Sequence, residues 1–596
     1  MTALFLQRFA PARLVLRESS GALVAAIVVL LACYATGCAV LRRTTLLACT
    51  LVGVPALGTL VAIVSWISIR PVPWLTYLFA LAGVALLWRA RPTLAMPRVP
   101  WLLAPPILFA LVAALAPVNA PDELIYKLAI PHAYQLYGRM IELPLSSNSY
   151  LALALQFVDL SALMLSGGVA AKLVHFALYL AALAAVHRLA MRIAPRAAWW
   201  PVVMLAWTPA LMLIAGWAFS EWGVLALLAL AVERYEDDDP LAAFAAAGGA
   251  LAMKYTALPF VAAFALIVLF RHRRDPRVLL KVAAITIAFG AFFYIRNAVW
   301  TGSPIAPLLL PDAPAVQNYR AGGATLGGWR EFFTGADILD VRLVDESLGI
   351  AIAVSFVAGL LALGSRNRTA RDLAIIGAIQ MPILLTIGPG SRNIINGVAA
   401  LAIAGAAIIG DAFHDLRPAF RAVGGLVIGV ALAAQGVLVL FSFADYDVLP
   451  YLGGQESAEQ YIARQRAFAK PYAWLERETP RDARVLLLGE HETFELDRPF
   501  LAATNLDGPR VAHWLARFPT PDALHAELRA QHISYVLLRP RWYRVAQPGQ
   551  RPLTAIESEL ALEVPPETDR VLKTMLQTRA ALRYRDDEFL IFELSP

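Results

Sequence analysis

Charged residues are scarce in this chain. They make up 16% of its 596 residues, whereas an ordinary soluble domain has about a quarter. Hydrophobic residues make up 59%, and the mean hydropathy is +0.61. This composition excludes a soluble globular enzyme. It also excludes a disordered chain, which combines low hydrophobicity with high net charge. We therefore expect a polytopic integral membrane protein.

Cysteine and several catalytic motifs are also rare or absent. The three cysteines, Cys33, Cys38 and Cys49, all lie in the first apolar runs, so no disulfide can constrain the rest of the chain. The sequence contains no GxxxxGK[ST], HExxH, CxxC or GxSxG pattern. These absences disfavour ATP-driven transport and hydrolysis by zinc or serine. The net charge of +7 does not indicate a nucleic-acid partner, because most arginines lie in short links between apolar runs.

Apolar runs long enough to approach a spanning helix of about 20 residues recur along the first three quarters of the chain. Fourteen runs qualify: 21–41, 44–69, 73–89, 101–116, 169–190, 198–216, 219–233, 240–254, 256–270, 278–296, 348–364, 371–388, 396–413 and 421–443. No cleavage site follows a short apolar core near the start, so we expect the first run to be a retained helix. Some runs are short or contain proline. We predict about 13–14 transmembrane helices, because backbone polar groups in lipid must be satisfied within the segment.

The arginines of the short links predict the orientation. They fall after alternate spans, at 42–43, 89–98, 188–196, 271–277, 365–371 and 417–421. The positive-inside rule makes this face cytoplasmic, and the acidic link 233–240 carries little weight in that rule. The outer face then receives the loops 117–147 and 302–346 and everything after residue 444. The same count places the N-terminus outside.

The composition changes after residue 444. Residues 447–596 are rich in charged and turn residues and contain no spanning run. The segments 485–489 and 534–538 read as short buried parallel strands, and 521–531 has apolar residues at helical spacing. Residues 581–594 read as a hairpin that turns at Asp586–Asp587. We therefore predict a small α/β domain on the outer face.

Two carboxylates stand out in the first outer loop, where Asp122 and Glu123 follow Pro121. One interpretation is a helix start, because acidic residues stabilise a helix N-terminus. The other is catalytic, because a carboxylate held at the membrane surface can act as a general base toward a hydroxyl or amine. The spacing alone leaves both open.

Cations lie at the same predicted membrane level. Arg296 ends an apolar run on the outer side, Lys254 and Tyr255 interrupt another run at a predicted outer turn, and Arg392 follows a third. Each cation could be an interfacial anchor that snorkels. An arginine can instead bind two phosphate oxygens, and ionisable residues at this depth are candidates for function. Together with Glu221 in a short outer turn, they suggest an anionic amphiphilic ligand such as a lipid phosphate.

Metal ligands are sparse. His132 and His175 are isolated, and His491 lies between Glu490 and Glu492. A lone histidine is more often structural than a ligand. We therefore expect no cofactor, although a divalent cation remains possible.

Several segments in this order resemble the GT-C superfamily of polytopic glycosyltransferases. The resemblance covers about residues 101–596, and it is strongest to the phospholipid-carrier-dependent group that includes protein O-mannosyltransferases and lipid A aminoarabinose transferases. The matching segments are the acidic pair with its continuation YKLAIPHAYQLYGRMIELP, then SYLALALQFVDLSALMLSGG, GALAMKYTALPF, YIRNAVWTGSPIAP, RVLLLGEHETFELDRPFLAATNLD and HISYVLL.

The resemblance implies a GT-C-like fold and a glycosyltransferase of the bacterial inner membrane. It would move a sugar from a polyprenyl-phosphate donor to a glycan, lipid or protein acceptor at the outer face. It implies Asp122 as the catalytic base with Glu123 in support, and a donor phosphate held by Arg296, Lys254, Tyr255 and Arg392. The domains would be an N-terminal extension of about three helices (1–100), a GT-C-like module (101–443) and a periplasmic α/β domain (444–596).

The sequence departs from the pattern of the superfamily in two places. Four apolar runs precede the acidic loop, where the simplest members have one. Ser146–Tyr150 stands where the superfamily usually has a proline pair after the loop, at the position that bears on the approach of the acceptor. A transporter or flippase of a lipid-linked saccharide is the alternative function, and a catalytically silent scaffold is a third. A transporter should show an inverted repeat and broken helices, and neither is clear in the sequence.

Overall fold

The structure is a computed structural model, and it describes residues 2–91, 99–307, 347–387, 391–547, 557 and 560–596. Most of the predicted outer loop 302–346 therefore lies outside the described residues. The part of the turn before Arg392 that comprises residues 388–390 also lies outside them.

Three long helices form the N-terminal part: α1 (Thr2–Leu41), α2 (Leu46–Ile67) and α3 (Val72–Ala90). Glycines let the first two approach backbone to backbone. A Cβ atom at Gly37 would lie 1.8 Å from the carbonyl oxygen of Cys49, and one at Gly53 would lie 1.7 Å from that of Cys33. Small residues at such crossings are typical of helix packing in membranes, where tight van der Waals contact drives association.

The rest of the bundle contains fifteen helices among the described residues. They are α4 (Ala104–Leu115), α5 (Ala129–Tyr137), α6 (Ala154–Ser166), α7 (Gly168–Ile193), α8 (Trp199–Ala206), α9 (Pro209–Ile214), α10 (Glu221–Glu236), α11 (Pro240–Met253), α12 (Leu258–Arg271), α13 (Pro276–Gly290), α14 (Phe292–Thr301), α15 (Ile350–Leu361), α16 (Arg368–Ile387), α17 (Ser391–Asp415) and α18 (Pro418–Ala444). The N-terminal helices pack against α6 and α7 of this group. At Gly58 of α2, a Cβ atom would lie 1.8 Å from the carbonyl oxygen of Ala154.

The fourteen predicted runs fall on helices, but fewer of them are single full-length spans. Six described helices are long and apolar enough to cross a membrane: Glu18–Leu41, Leu46–Ile67, Val72–Ala90, Gly168–Ile193, Arg392–Gly410 and Pro418–Ala444. The predicted run 198–216 is broken into α8 and α9 before Pro209, which cannot continue a hydrogen-bonded turn. The predicted run 278–296 bends by 62° between α13 and α14. Helix α6 is an additional short apolar helix that the run count omitted.

Short links meet at one end of the bundle through ion pairs. The acidic link 233–240 supplies the carboxylates, and the arginines come from three different links. The pairs are Arg43–Asp239 at 2.5 Å, Arg188–Glu233 at 2.8 Å, Arg271–Glu236 at 3.1 Å and Arg192–Asp237. The prediction that the basic links share one face therefore agrees with the ion pairs of these links.

The C-terminal part is an α/β domain with the predicted elements. Its helices are α19 (Leu449–Leu452), α20 (Ala458–Gln465), α21 (Ala469–Glu478), α22 (Gly508–Ala516), α23 (Pro521–Ala530) and α24 (Pro566–Arg579). Its strands are β1 (Arg484–Leu488), β2 (Phe500–Leu501), β3 (Ile533–Leu538), β4 (Tyr543–Val545), β5 (Leu562–Val564), β6 (Ala580–Arg585) and β7 (Leu590–Leu594). The main sheet has the order β2-β1-β3-β7-β6.

The pairing of these strands confirms the sequence interpretation of the domain. Strands β1 and β3 are parallel neighbours, as predicted for 485–489 and 534–538. Helix α23 covers the predicted helical segment, and β6 and β7 form the predicted antiparallel hairpin. Leu486 and Leu488 lie on one face of β1 and pack with the helices into a separate apolar core, whereas Val485 and Leu487 are buried on the other face. A sheet with a buried parallel centre reads as near-continuous apolar strands, which made this part predictable.

Candidate functional site

The segment that carries the two loop carboxylates forms a π-helix, Glu123–Lys127, before α5. The amide of Leu128 donates to the carbonyl oxygen of Glu123 at 3.2 Å, which closes the wide i+5 turn. Single π-turns are rare and recur at functional sites, where they change which side chains share a face. Here the turn brings side chains of the loop together in a way that an α-helix would not.

Glu123 is fully buried, and its carboxylate holds the loop in place by accepting hydrogen bonds from backbone amides. Its Oε2 atom accepts hydrogen bonds from the amides of Asn119 at 3.3 Å and Ala120 at 3.2 Å. Its Oε1 atom accepts from the amide of Ala218 at 2.6 Å, in the turn before α10. Both oxygens are therefore occupied by backbone N–H groups. The helix-start interpretation thus fits Glu123, which acts as a positioning residue for the loop.

Asp122 has a different environment, although it is the next residue. Its side chain is 21% exposed, and its Oδ2 atom accepts hydrogen bonds from the Tyr126 hydroxyl at 2.8 Å and from Arg392 at 3.2 Å. Its Oδ1 atom accepts no hydrogen bond from any described residue. One carboxylate oxygen is thus fixed by two donors, and the other is available to a ligand.

A second ion pair lies beside the first. Lys254, the residue after α11, donates to Glu221 at the start of α10, with 2.6 Å between Nζ and Oε1. Glu221 also interacts electrostatically with Lys127 and Arg392. We refer to Asp122, Glu221, Lys127, Lys254 and Arg392 as the Asp122 cluster. Its three cations and two carboxylates come from four separate parts of the chain.

Aromatic rings line the cluster. Lys127 lies 5.0 Å from the centre of the Tyr126 ring and 5.5 Å from that of Phe219, and Arg392 lies 5.5 Å from the Phe219 ring. Such contacts stabilise cations that have lost part of their water. Burial lowers the pKa of Lys127 to about 8, although the nearby Glu221 and Asp122 carboxylates oppose the change.

Arg296 and Tyr255 lie in a neighbouring polar group. The Arg296 guanidinium is fully buried, stacks on the Phe293 and Trp300 rings, and donates to the carbonyl oxygen of Leu151 at 2.9 Å. The Tyr255 hydroxyl donates to backbone carbonyl oxygens, one of them that of Ala306 at 3.0 Å. Arg296 therefore does not snorkel. None of its described contacts is with the Asp122 cluster, and its Nη1 atom has no hydrogen-bond partner among the described residues.

The C-terminal domain forms hydrogen bonds with the backbone of the loop on both sides of Asp122. The amides of Thr493 and Phe494 both donate to the carbonyl oxygen of Leu124, at 2.8 Å and 3.1 Å. Arg466 donates to the carbonyl oxygen of Asn119 and pairs with Glu492 at 3.0 Å. The loop and the domain are therefore on the same side of the bundle, as the sequence predicted.

The histidines have structural environments. The His175 ring lies 3.0 Å from Asp159 and 2.9 Å from the carbonyl oxygen of Phe219, so it helps to hold that aromatic residue. The His491 ring lies between the carbonyl oxygens of Ala503 and Leu560. Within the described part of the chain, no group of three or more His, Cys, Asp or Glu side chains could hold a metal ion.

Sequence analysis missed Tyr126, Lys127 and Phe219 as members of the site. Tyr126 follows Asp122 by four residues, a spacing that helical periodicity could have detected. Lys127 follows by five residues, which share a face only in the wider π-turn. Phe219 lies far along the chain and is brought in by tertiary packing. No local pattern identifies it.

Known protein families and structures were compared with the chain. No family model and no curated protein matches it. Among solved structures, ArnT from Cupriavidus metallidurans in the apo state matches with a TM-score of 0.50 and 14% identity, over 83% of this chain and 97% of that one. The same protein bound to undecaprenyl phosphate gives 0.48, with 14% identity and the same coverage. The Archaeoglobus fulgidus oligosaccharyltransferase gives 0.44 and 15% identity, over 74% of this chain and 68% of that one.

The comparison of folds rests on the apo structure of ArnT, for which the TM-score is 0.50. At these identities the likeness is one of fold. It covers 97% of ArnT and 83% of this chain, which is more than the helical bundle alone could supply. This confirms the predicted fold class, a polytopic α-helical membrane protein with a small C-terminal α/β domain, and the chain shares its fold with ArnT.

Proposed function

We propose that this protein is a membrane glycosyltransferase that moves a sugar from a polyprenyl-phosphate donor to an acceptor at the outer face. The observation that carries the proposal is the environment of Asp122. One of its oxygens is fixed by Tyr126 and Arg392, the other is open, and two more cations lie beside it. Within a GT-C fold, this arrangement suits a base next to an anionic leaving group.

Asp122 is the proposed general base. Its open Oδ1 atom would accept the proton of the acceptor hydroxyl or amine as that atom attacks the anomeric carbon. The bond from the anomeric carbon to the phosphate oxygen would break at the same time, and the bonding electrons would leave with the lipid phosphate. A single displacement of this kind inverts the configuration of the sugar. Glu123 would support the base by fixing the backbone that carries it.

The cations of the Asp122 cluster would bind the donor phosphate and stabilise the charge that develops on it. Lys254 and Arg392 are partly exposed, at 19% and 22% of their side chains, so both can reach a ligand. Cations held in place by the protein stabilise the charge of a transition state more strongly than the same groups would in water, because they need not reorient during the reaction. We also propose that Arg296 and Tyr255 line the adjoining part of the donor site, where the unpartnered Nη1 atom of Arg296 can donate one hydrogen bond.

The proposed membrane placement follows from the distribution of charge along the bundle. The basic links joined by ion pairs lie at the far end of α12 from the Asp122 cluster, and the positive-inside rule makes that end cytoplasmic. The cluster, the loop 117–147 and the domain 444–596 would then lie outside the cytoplasm. The lipid carrier suits a bacterial inner membrane. We propose that residues 1–100 form an N-terminal extension of the GT-C-like module 101–443.

The test uses membranes that contain the full chain and a panel of polyprenyl-phosphate sugars with a radiolabelled sugar. We expect the wild type to transfer label to an endogenous acceptor. Asp122→Asn should reduce transfer by at least about 10²-fold. Asp522→Asn is the matched control, because Asp522 is a largely exposed carboxylate in the C-terminal domain. Equal transfer by Asp122→Asn and Asp522→Asn would refute the proposed mechanism.

A transporter of lipid-linked saccharides is the second candidate, and one observation favours it. Helices α13 and α14 form a broken pair with a 62° bend, and broken helices recur at the binding sites of transporters. Reconstitution into vesicles separates the two functions. A transporter would move an intact lipid-linked saccharide across the bilayer, and it would leave the bond between sugar and phosphate unbroken.

A further inference from the structure

A cleft of about 730 Å³ opens at the end of the bundle opposite the Asp122 cluster. It lies between α12 and α16, and the link after α12 lines one end of it. Lys254 lies shortly before the start of α12, and Arg271 is its last residue. The helix of 14 residues spans about 21 Å between them. The cleft is therefore a separate place from the proposed donor site.

The two walls of the cleft are apolar along most of their length. Leu266 and Phe270 are four residues apart on α12, and Ile375 and Ile379 are four residues apart on α16, so each pair lies on one helix face. Leu266 is 59% exposed and Phe270 is 70% exposed. These side chains form a groove that can hold a hydrocarbon chain.

The end of the cleft beside this link is strongly basic, with five arginines against two aspartates. Arg271 is neutralised, because it pairs with both Glu236 and Asp372. Asp275 accepts hydrogen bonds from the first amides of α13 and serves as its cap. Four further arginines have no described carboxylate within ion-pair distance: Arg273, Arg274, Arg368 and Arg371.

We propose that this cleft binds an anionic glycerophospholipid. The phosphate would lie among the four arginines, whose planar guanidinium groups can each bond two phosphate oxygens. An acyl chain would lie along the exposed apolar faces of α12 and α16. Basic pockets between membrane helices bind anionic head groups on the cytoplasmic side, which is the side predicted for this end. The proposal does not depend on the proposed glycosyltransferase activity.

Orientation by the positive-inside rule does not by itself explain the arrangement. That rule requires arginines near the ends of spans, but it does not require them to line a cleft. Arg417 and Arg421 provide the comparison. They are exposed arginines of a turn predicted on the same face, and they line no part of this cleft. A pair of substitutions there changes the charge by the same amount as a pair at the cleft.

The experiment is native mass spectrometry of the detergent-solubilised full chain titrated with phosphatidylglycerol. The cleft variants are Arg273→Gln with Arg274→Gln, and Arg368→Gln with Arg371→Gln. The control is Arg417→Gln with Arg421→Gln. We expect each cleft pair to lower phosphatidylglycerol occupancy at least fivefold and the control pair to change it less than twofold. Phosphatidylcholine should bind the wild type at least fivefold more weakly than phosphatidylglycerol.

Three results would overturn the proposal. Equal losses of phosphatidylglycerol occupancy in all three double variants would show that binding responds only to net charge. Equal occupancy by phosphatidylcholine would show that the phosphate anion is not recognised. Displacement of phosphatidylglycerol by an equimolar polyprenyl monophosphate, at the cleft of the wild type but not of the variants, would assign the cleft to the carrier lipid. Thermal unfolding of each variant verifies that it is folded.

Discussion

The adjacent carboxylates of the loop are expected to respond oppositely to the same chemical change. Glu123→Gln removes one oxygen from a fully buried group that accepts hydrogen bonds from the amides of Asn119, Ala120 and Ala218. Asp122→Asn changes a partly exposed group whose Oδ1 atom has no described donor. The first substitution should therefore reduce stability, and the second should reduce transfer.

The expected loss of stability depends on how many buried N–H donors lose their hydrogen-bond acceptor. A glutamine at position 123 retains one acceptor oxygen and directs its NH₂ group at one or two backbone N–H groups. An unsatisfied buried donor costs about 1–3 kcal/mol, so we expect Glu123→Gln to lower the free energy of unfolding by about 2–4 kcal/mol. Asp122→Asn keeps an oxygen for the Tyr126 hydroxyl and weakens one partly exposed ion pair, which amounts to about 1 kcal/mol or less.

The cysteines provide the assay for stability. Cys33, Cys38 and Cys49 are all buried and reduced, so a thiol-reactive fluorophore labels them when the bundle unfolds. We expect a clear fall in the labelling temperature for Glu123→Gln and almost none for Asp122→Asn. In a donor-transfer assay below that temperature, Asp122→Asn should show the larger defect. The reverse pattern, with a stable and inactive Glu123→Gln and an active Asp122→Asn, would refute the division of roles.

Three further predictions concern the surroundings of Asp122. Lys254→Met leaves Glu221 buried without its ion-pair partner and should destabilise the protein by about 3–5 kcal/mol, whereas Lys254→Met with Glu221→Gln should recover part of this loss in the thiol assay. Both variants should keep a raised KM for the donor, and a normal KM would contradict phosphate binding by Lys254. Burial lowers the pKa of Lys127 to about 8, so its charge is lost from the folded protein above that pH and donor KM should rise there. Lys127→Met should abolish this pH dependence, and its persistence would assign it to another group. Arg466→Ala should reduce kcat by as much as about 10²-fold with little change in KM, because it loosens the backbone before the base. Faster hydrogen exchange of the loop amides should accompany the loss, and unchanged exchange would argue against a positioning role.

The membrane fold could be predicted from the sequence because its signals are local. Apolar runs identified the helical segments, and arginine-rich links identified one end of the bundle. The number of full-length spans could not be predicted in the same way. Breaks before Pro209 and near Ala291 divide apolar runs that read as continuous, because a helix can bend inside a bundle when neighbours satisfy its freed backbone groups.

The candidate site could be predicted only in part. Asp122 was predicted from the acidic pair of the first outer loop, and Lys254 and Arg392 were predicted from cations at the outer ends of apolar runs. The structure places the three residues in one cluster. The different roles of Asp122 and Glu123 could not be found, because they depend on amides that the π-turn and the turn before α10 bring together. Arg296 fits the same sequence pattern as Arg392, but it is fully buried against aromatic rings. Polar residues in apolar runs thus identify candidates, and tertiary contacts separate their roles.

The acidic link 233–240 determines which arginines at the basic end can take part in binding. The positive-inside rule ignores acidic residues, yet this link and Asp372 pair with Arg43, Arg188, Arg192 and Arg271. The four arginines at the cleft have no described carboxylate partner, although they belong to the same set of basic links. The positive-inside rule therefore explains why arginines are numerous at this end of the bundle. The carboxylates explain which of these arginines are available to bind an anionic ligand. A search for anionic ligands in such proteins should start from the arginines that the acidic links leave unpaired.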